Sequence, residues 1–297
     1  MRSVLSVWRG LGRRRRRVPV KVYDAVAGRW VDTADVANHV ADADEAAPAT
    51  LTFTTYNVWF DDLHADARHV AVAGVLAPLA PDVMVFQEMT PRALAILHAQ
   101  PWIRRDYRSA AVVGHRDIGP YGMVLLTRLP VRRVTYRPLP SELSRGILLC
   151  EFGFDDIPLT VCSIHLDSGK RRAGLRATQL RAITRALRGA DDAVVLGDFN
   201  MRDRENGRIT APYTDLWPAL RPGEHGYTED TSINLMRYDM KDKHRHVRFD
   251  RILLKGTAWS ASDIELLGTE PLSARLPRIF PSDHFGLRCT LTSRPTP

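Results

Sequence analysis

Five separated segments place polar, chemistry-bearing side chains at or just past the ends of apolar runs. They are Tyr56-Asn57 after LTFTT, Gln87-Glu88 after VMVF, His165 closing LTVCSIH, Gly197-Asp198-Phe199-Asn200 after AVVL, and Ser282-Asp283-His284 before FGLRCTL. A rigid sheet can hold such residues toward one rim. Carboxylates, carboxamides and imidazoles suit metal-assisted attack of water on a phosphate ester. Glu88 is the hard oxygen ligand that Mg²⁺ takes, with Asp283 or Asp198 contributing directly or through water. Asp198 would orient or deprotonate the water, and Asn57 and Asn200 would hold water and phosphate oxygens. His165 and His284 would stabilise charge growing on the phosphorane. Singly, a strand-end Glu or Asn is usually a cap or turn residue. The ordered set of five carries the expectation.

Other chemistries fail on residue type, because the chain has no HExxH, Cys/His zinc cluster, GxxxxGK[ST] or GxSxG. The basic run Lys241 to Arg251 (KDKHRHVRFDR) reads as a solvated turn or a phosphate-contact surface.

The elements that must position these residues are short. From Leu51 onward, β-rich runs of four to eight residues (LTFTTYNV, DVMVFQE, YGMVLLT, ILLCEFGF, LTVCSIH, AVVLGD, FDRILL, LRCTLT) alternate with helical stretches at Ala65 to Leu79 and Lys170 to Arg188. In the second stretch Leu175, Leu180, Ile183 and Leu187 share a face opposed by arginines, so it should pack on a sheet. Many strands with few helices predict an α/β fold of two packed sheets with helices outside, rather than regular βαβ alternation.

The 297 residues carry 42 Lys and Arg against 34 Asp and Glu. Eight of the basic residues and no acid lie in residues 1–22, so the rest is formally neutral. Arg13 to Arg17 form either a solvated arm or a contact for polyanions, and an Arg-rich, acid-free start also fits an organellar transit peptide. Val18 to Val31 reads as two β-prone runs around Gly28, followed by an Ala-rich helical segment from Asp32 to about Glu45 and a linker. Residues 1–50 are thus expected to form an N-terminal extension, and 51–297 the catalytic domain. Cys150, Cys162 and Cys289 sit in strand-like runs without metal-ligand spacing, which predicts buried thiols in a reducing cytoplasm. No run is long enough for a membrane span, and a monomer is expected.

At these residues the chain resembles the endonuclease/exonuclease/phosphatase superfamily over residues 51–293, which implies the DNase I-like, four-layer sandwich of two mixed β-sheets flanked by helices. Within it, GDFNMRDRE at 197–205, VRFDRILL at 247–254, and DIELLGTEPL and FPSDHFGLRCTL between 263 and 291 are most similar to the type 2 tyrosyl-DNA phosphodiesterases. The resemblance implies roles for Asn57 and His165 at the phosphate, Glu88 at Mg²⁺ (or Mn²⁺), and Asp198 with Asn200 at the water. Asp283 and His284 would complete the pocket, Asp250 would orient the last histidine, and Tyr121 and Arg145 would approach the substrate. The chain departs from the pattern at Tyr56, where Trp is usual, and in GYTEDT, where Glu229 stands in place of an aromatic. A carboxylate there is expected to repel a nucleic-acid strand that an aromatic would grip.

The expectation is a Mg²⁺-dependent hydrolase of 5′-phosphotyrosyl-DNA-type phosphodiesters. Alternatives are a nuclease, an RNA phosphodiesterase, or a phosphoesterase on a lipid or inositol headgroup. A non-catalytic nucleic-acid binder using the basic tail is a third class.

Overall fold

The computed structural model describes residues 15–35, 46–114, 118–154 and 157–294. Two large sheets dominate. The first has the order β1 (Arg16–Arg17), β8 (Val131–Pro138), β9 (Gly146–Phe152), β10 (Leu159–His165), β11 (Asp192–Asp198), β15 (Asp250–Lys255), β12 (Tyr213–Asp215). The second runs β16 (Trp259–Leu267), β17 (Gly286–Ser293), β4 (Thr50–Asn57), β5 (Val83–Met89), β7 (Gly122–Thr127), β6 (Arg108–Val112), β2 (Lys21–Asp24), β3 (Arg29–Asp32). A two-stranded ribbon joins β13 (Glu229–Asp230) to β14 (His246–Val247). Each large sheet is mixed, with the single parallel pairs β10/β11 and β4/β5 at its centre.

Side-chain alternation along the strands assigns the layers. Phe53, Val83, Val85 and Leu125 of the second sheet meet Leu148, Val161, Val194, Leu196 and Ile252 of the first in one buried core. The intervening residues face outward: Met84, Phe86 and Val124 pack beneath α1 (Ala65–Leu76), α2 (Pro91–Ala99) and α3 (Pro101–Asp106). Cys162, Ile164, Ala193 and Val195 pack beneath α4 (Ala173–Ala186). Helix, sheet, sheet and helix make the four expected layers. The three cysteines are buried and unpaired, and no helix among the described residues is long and apolar enough to cross a membrane.

All eight β-rich runs are strands. Helix α1 stops at Leu76, short of Leu79, with Pro78 just beyond. The second helical stretch opens as a 3-10 turn at Lys170–Arg172 before α4 begins. Leu180, Ile183 and Leu187 are buried under α4 as expected, but Leu175 is half-exposed while Arg176 and Gln179 are buried. Arg176 is neutralised by Glu205 at 2.6 Å, so a polar pair takes a place the periodicity gave to an aliphatic. Seven strands had no clear signal, of which β1, β13 and β14 have two residues each. β6 and β12 are short, and β8 and β16 lie near sheet edges where polar residues alternate with apolar ones.

The N-terminal segment is built into both sheets. Lys21–Asp24 and Arg29–Asp32 form a hairpin around Gly28 and add to the edge at β6. Arg15 bonds Thr135 and Glu151, while Arg16 lies over the Tyr136 ring. Arg15 to Arg17 are therefore docked along β8 rather than forming a solvated arm. Arg13, Arg14 and residues 36–45 of the expected helix lie outside the described residues. Two further short helices, α5 (Leu216–Leu220) and α6 (Leu235–Asp239), flank the ribbon region.

Candidate active site

Strand register assembles the site. Parallel pairing of β10 with β11 sets His165 opposite Asp198, and antiparallel pairing of β11 with β15 sets Asp198 opposite Asp250. In the other sheet Asn57 lies opposite Gln87, and Asp283 and His284 directly precede β17. Gly197 permits the close approach of β10, since a Cβ there would stand 2.0 Å from the Ile164 carbonyl oxygen. Glu88 sits where the β5/β7 register slips, at φ +58°, so a bulge turns its side chain out of the ladder. Tyr56, in place of the usual Trp, is fully buried against Gly286 and leaves the rim intact.

Two groups tie the rim together. Buried Arg68 donates to the carbonyls of Val58, Trp59, Asp61 and Leu63 and to Pro281, joining the loop after Asn57 to the turn before Asp283. The Ser282 hydroxyl donates to the Asn57 carbonyl at 2.6 Å. The sequence names Ser282 only as part of the Ser-Asp-His segment, without this tie, while Arg68 went unflagged although an arginine inside an Ala- and Val-rich helix was the available signal.

Asp198 is 1% exposed and receives Asn200 N at 2.7 Å on Oδ1, and Asn200 Nδ2 at 2.8 Å and Asn57 Nδ2 at 3.2 Å on Oδ2. Burial would push this carboxyl up, but the His165 ring, His284 and the Asn200 N–H hold it well below the usual range. It is a carboxylate.

The two histidines differ. Arg145 Nη1 stands 3.0 Å from His165 Nδ1; arginine only donates, so Nδ1 accepts and the proton of the neutral ring resides on Nε2. Burial and the Arg145 charge lower His165 to about 4. Its Nε2 lies 3.4 Å from Asp198 Oδ2 and 3.8 Å from Glu88 Oε1 without an aligned hydrogen bond to either. His284 Nδ1 instead meets Asp250 Oδ2 at 2.7 Å. Burial would lower His284, yet the carboxylates of Asp250, Asp283 and Asp198 raise it well above its ordinary value. It is an imidazolium with Nε2–H left for another acceptor. The Thr228 hydroxyl accepts from the backbone of Phe249 and Asp250 and fixes that corner.

Glu88 is pushed up to about 7 by burial and by the charge of Asp283. Two carboxylates whose negative charges oppose each other form a hard-oxygen site that a divalent cation would relieve, so these residues fit Mg²⁺. Among the described residues no three His, Cys, Asp or Glu side chains converge into a cage. Tyr121 lies beside this group, with the Arg145 guanidinium 5.4 Å from its ring and Phe60 stacked on it at 4.5 Å. Phe60, 44% exposed, also offers its N–H to Glu88 at 3.4 Å. It is a rim residue that an aromatic three positions after Asn57 could have flagged.

Every expected site residue therefore reaches this rim. The expectation for Glu229 is corrected. It is 2% exposed, paired with Arg237 at 2.9 Å and Arg245 at 2.8 Å, and so does not present a bare carboxylate to a strand. The basic run Lys241 to Arg251 likewise divides: Arg245 serves Glu229, Arg248 serves Asp215, and Arg251 is buried.

The model of the Endonuclease/Exonuclease/phosphatase family matches residues 54–284, and the chain belongs to that family. Among named relatives, Tyrosyl-DNA phosphodiesterase 2 of Rattus norvegicus is 28% identical over 82% of this chain and 67% of its own length. That of Xenopus laevis is 30% identical over 80% and 66%. The chain thus spans about two thirds of these relatives. A crystal structure of D. rerio TDP2 complexed with single strand DNA product superposes with a TM-score of 0.73 at 25% identity, covering 83% of this chain and all of that one. The C. elegans TDP2 fold matches with a TM-score of 0.69 at 23% identity.

Proposed function

We propose that this chain hydrolyses 5′-phosphotyrosyl-DNA-type phosphodiesters by in-line attack of water, with Mg²⁺ as cofactor. The observation that carries this reading is the ionised, buried Asp198 flanked by a neutral histidine on one side and an imidazolium on the other. Residues 51–297 are the catalytic domain in this reading. The docked strands of the N-terminal extension support its edges, and Arg13 to Arg17 offer polyanion contact.

Asp198 accepts a hydrogen bond from the attacking water and points its lone pair at phosphorus. A carboxyl held so low is a poor resting place for a proton, so it aligns the water, whose remaining proton stays on the product 5′ phosphate as the phenolate leaves. Asn57 and Asn200 fix that carboxylate. His165 donates Nε2–H to one non-bridging oxygen, and cationic His284 donates to another, so both meet charge that grows in the transition state. Held by Glu88 and Asp283, Mg²⁺ would neutralise phosphate charge as a Lewis acid. Tyr121, Phe60 and Arg145 line the approach. A tyrosyl phenolate, from a phenol of pKa about 10, leaves more readily than a sugar alkoxide, which favours cleavage on the tyrosine side.

The test is release of tyrosine from a 5′-phosphotyrosyl oligonucleotide with Mg²⁺, alongside nuclease, RNA, lipid and inositol phosphodiester substrates. Activity should vanish with EDTA and in Asp198→Asn and Glu88→Gln. Full activity in excess EDTA, or a larger kcat/KM on an inositol or lipid ester, contradicts the proposal.

A further inference from the structure

The ribbon β13/β14 has two faces. His244 and His246 point to one, where their rings join Tyr238 and Tyr227 in a chain of ring contacts. Arg245 lies between them in sequence and points to the other. There it pairs with Glu229 at 2.8 Å, and its guanidinium carbon lies 5.7 Å from the centre of the Phe249 ring. Arg202 lies over the same ring at 5.5 Å and has no ion-pair partner among the described residues. Phe249 is in turn 6.0 Å from the His284 ring, and Arg237, the second partner of Glu229, is 3.7 Å from Asp283. Two guanidiniums thus pair with one buried carboxylate, and a third shares the Phe249 ring with Arg245, immediately beside the reaction centre. Phe249, covered by two of them, is not a free stacking surface for a base.

We propose that Glu229 is a positioning residue that holds Arg245, with Arg202, around Phe249 as a subsite for a second phosphate of the substrate strand. The inference rests on the phosphodiesterase reading and narrows its substrate to a polynucleotide with at least one further phosphodiester beyond the scissile bond. A guanidinium pre-organised by a carboxylate loses little freedom on meeting a phosphate. The grip on the strand is then electrostatic where an aromatic residue would have made it stacking.

The experiment compares thymidine 5′-p-nitrophenyl phosphate, with one phosphodiester, and oligothymidylate bearing the same ester at its 5′ end. Arg245→Gln, Arg202→Gln and Glu229→Gln should each lose about tenfold more kcat/KM on the oligonucleotide than on the mononucleotide, through KM. The salt slope of oligonucleotide binding should fall by about 0.7 for each phosphate contact removed. Affinity for 5′-phosphorylated oligothymidylate, read by anisotropy, gives the same order without turnover. Equal losses on both substrates, or an unchanged salt slope, overturn the inference. If wild type turns over neither ester while oligonucleotide affinity still depends on these arginines, the phosphodiesterase reading fails and the subsite stands. The partly exposed Arg202 keeps the test decisive if Glu229→Gln does not fold.

Discussion

The corner at His165 and the corner at His284 are built from the same residue type, both buried, with Nδ1 fixed by a charged neighbour and Nε2 left over. The neighbour has opposite sign. Arg145 makes His165 a neutral donor, while Asp250 makes His284 a cationic one. Burial lowers both; Arg145 adds to that at His165, whereas Asp250, with Asp283 and Asp198, overcomes it at His284. The two sheets thus supply two different acids to flank a single carboxylate.

Replacing the cation breaks the comparison most severely. His284→Gln should lower kcat by about 10³ to 10⁴, the scale of a positioned general acid or charge stabiliser, as measured on the phosphotyrosyl oligonucleotide. Asp250→Asn removes the first of the three carboxylates that raise His284, so its value falls against the burial that opposes it. A group with a raised folded value loses its proton as pH rises through that value. The alkaline limb of kcat should therefore move to lower pH, with a loss of roughly 10² near neutrality.

Arg145→Met acts in the other corner and in the other direction. Without the neighbouring cation His165 should rise from about 4 toward the ordinary histidine value near 6.5. The acid limb of the rate profile should move up by a comparable amount, and the freed ring orientation should cost about tenfold at neutral pH.

The smallest effect is on stability. Glu88, raised to about 7 from 4.5, carries more protons folded than unfolded, so the metal-free protein should lose stability as pH climbs through that window. Glu88→Gln should remove this slope and stabilise the metal-free protein at pH 8 by on the order of 2 kcal/mol, with Mg²⁺ closing the gap for wild type only. Thermal melts across pH 4.5 to 8 check the sign.

Much of this site was legible in the sequence because strand ends are legible. An apolar run that stops at Asn57, Glu88, His165 or Asp198 announces both the strand and the residue it delivers. The charge state of each histidine was legible in part. The family resemblance, through Asp250 in RFDRI, pointed to an orienting carboxylate for His284, but nothing adjacent to His165 in the chain shows that Arg145, twenty residues earlier, fixes its ring. Glu229 was misread for the same reason. Its partners Arg237 and Arg245 come from a short helix and from the position just before a two-residue ribbon strand, whose register no periodicity encodes. The edge strand β16, and β8 one strand in from an edge, were missed because many of their residues are not buried and blur the alternation.

The most direct test of the paired histidines is ¹⁵N NMR of the imidazole nitrogens in the resting protein at pH 7.5, with His165→Gln and His284→Gln assigning the signals. The expected result is one ring neutral with its proton on Nε2 and another doubly protonated through a hydrogen bond at Nδ1. Two rings in the same protonation state, or His165 carrying its proton on Nδ1, would contradict the division of roles on which the proposed hydrolysis rests.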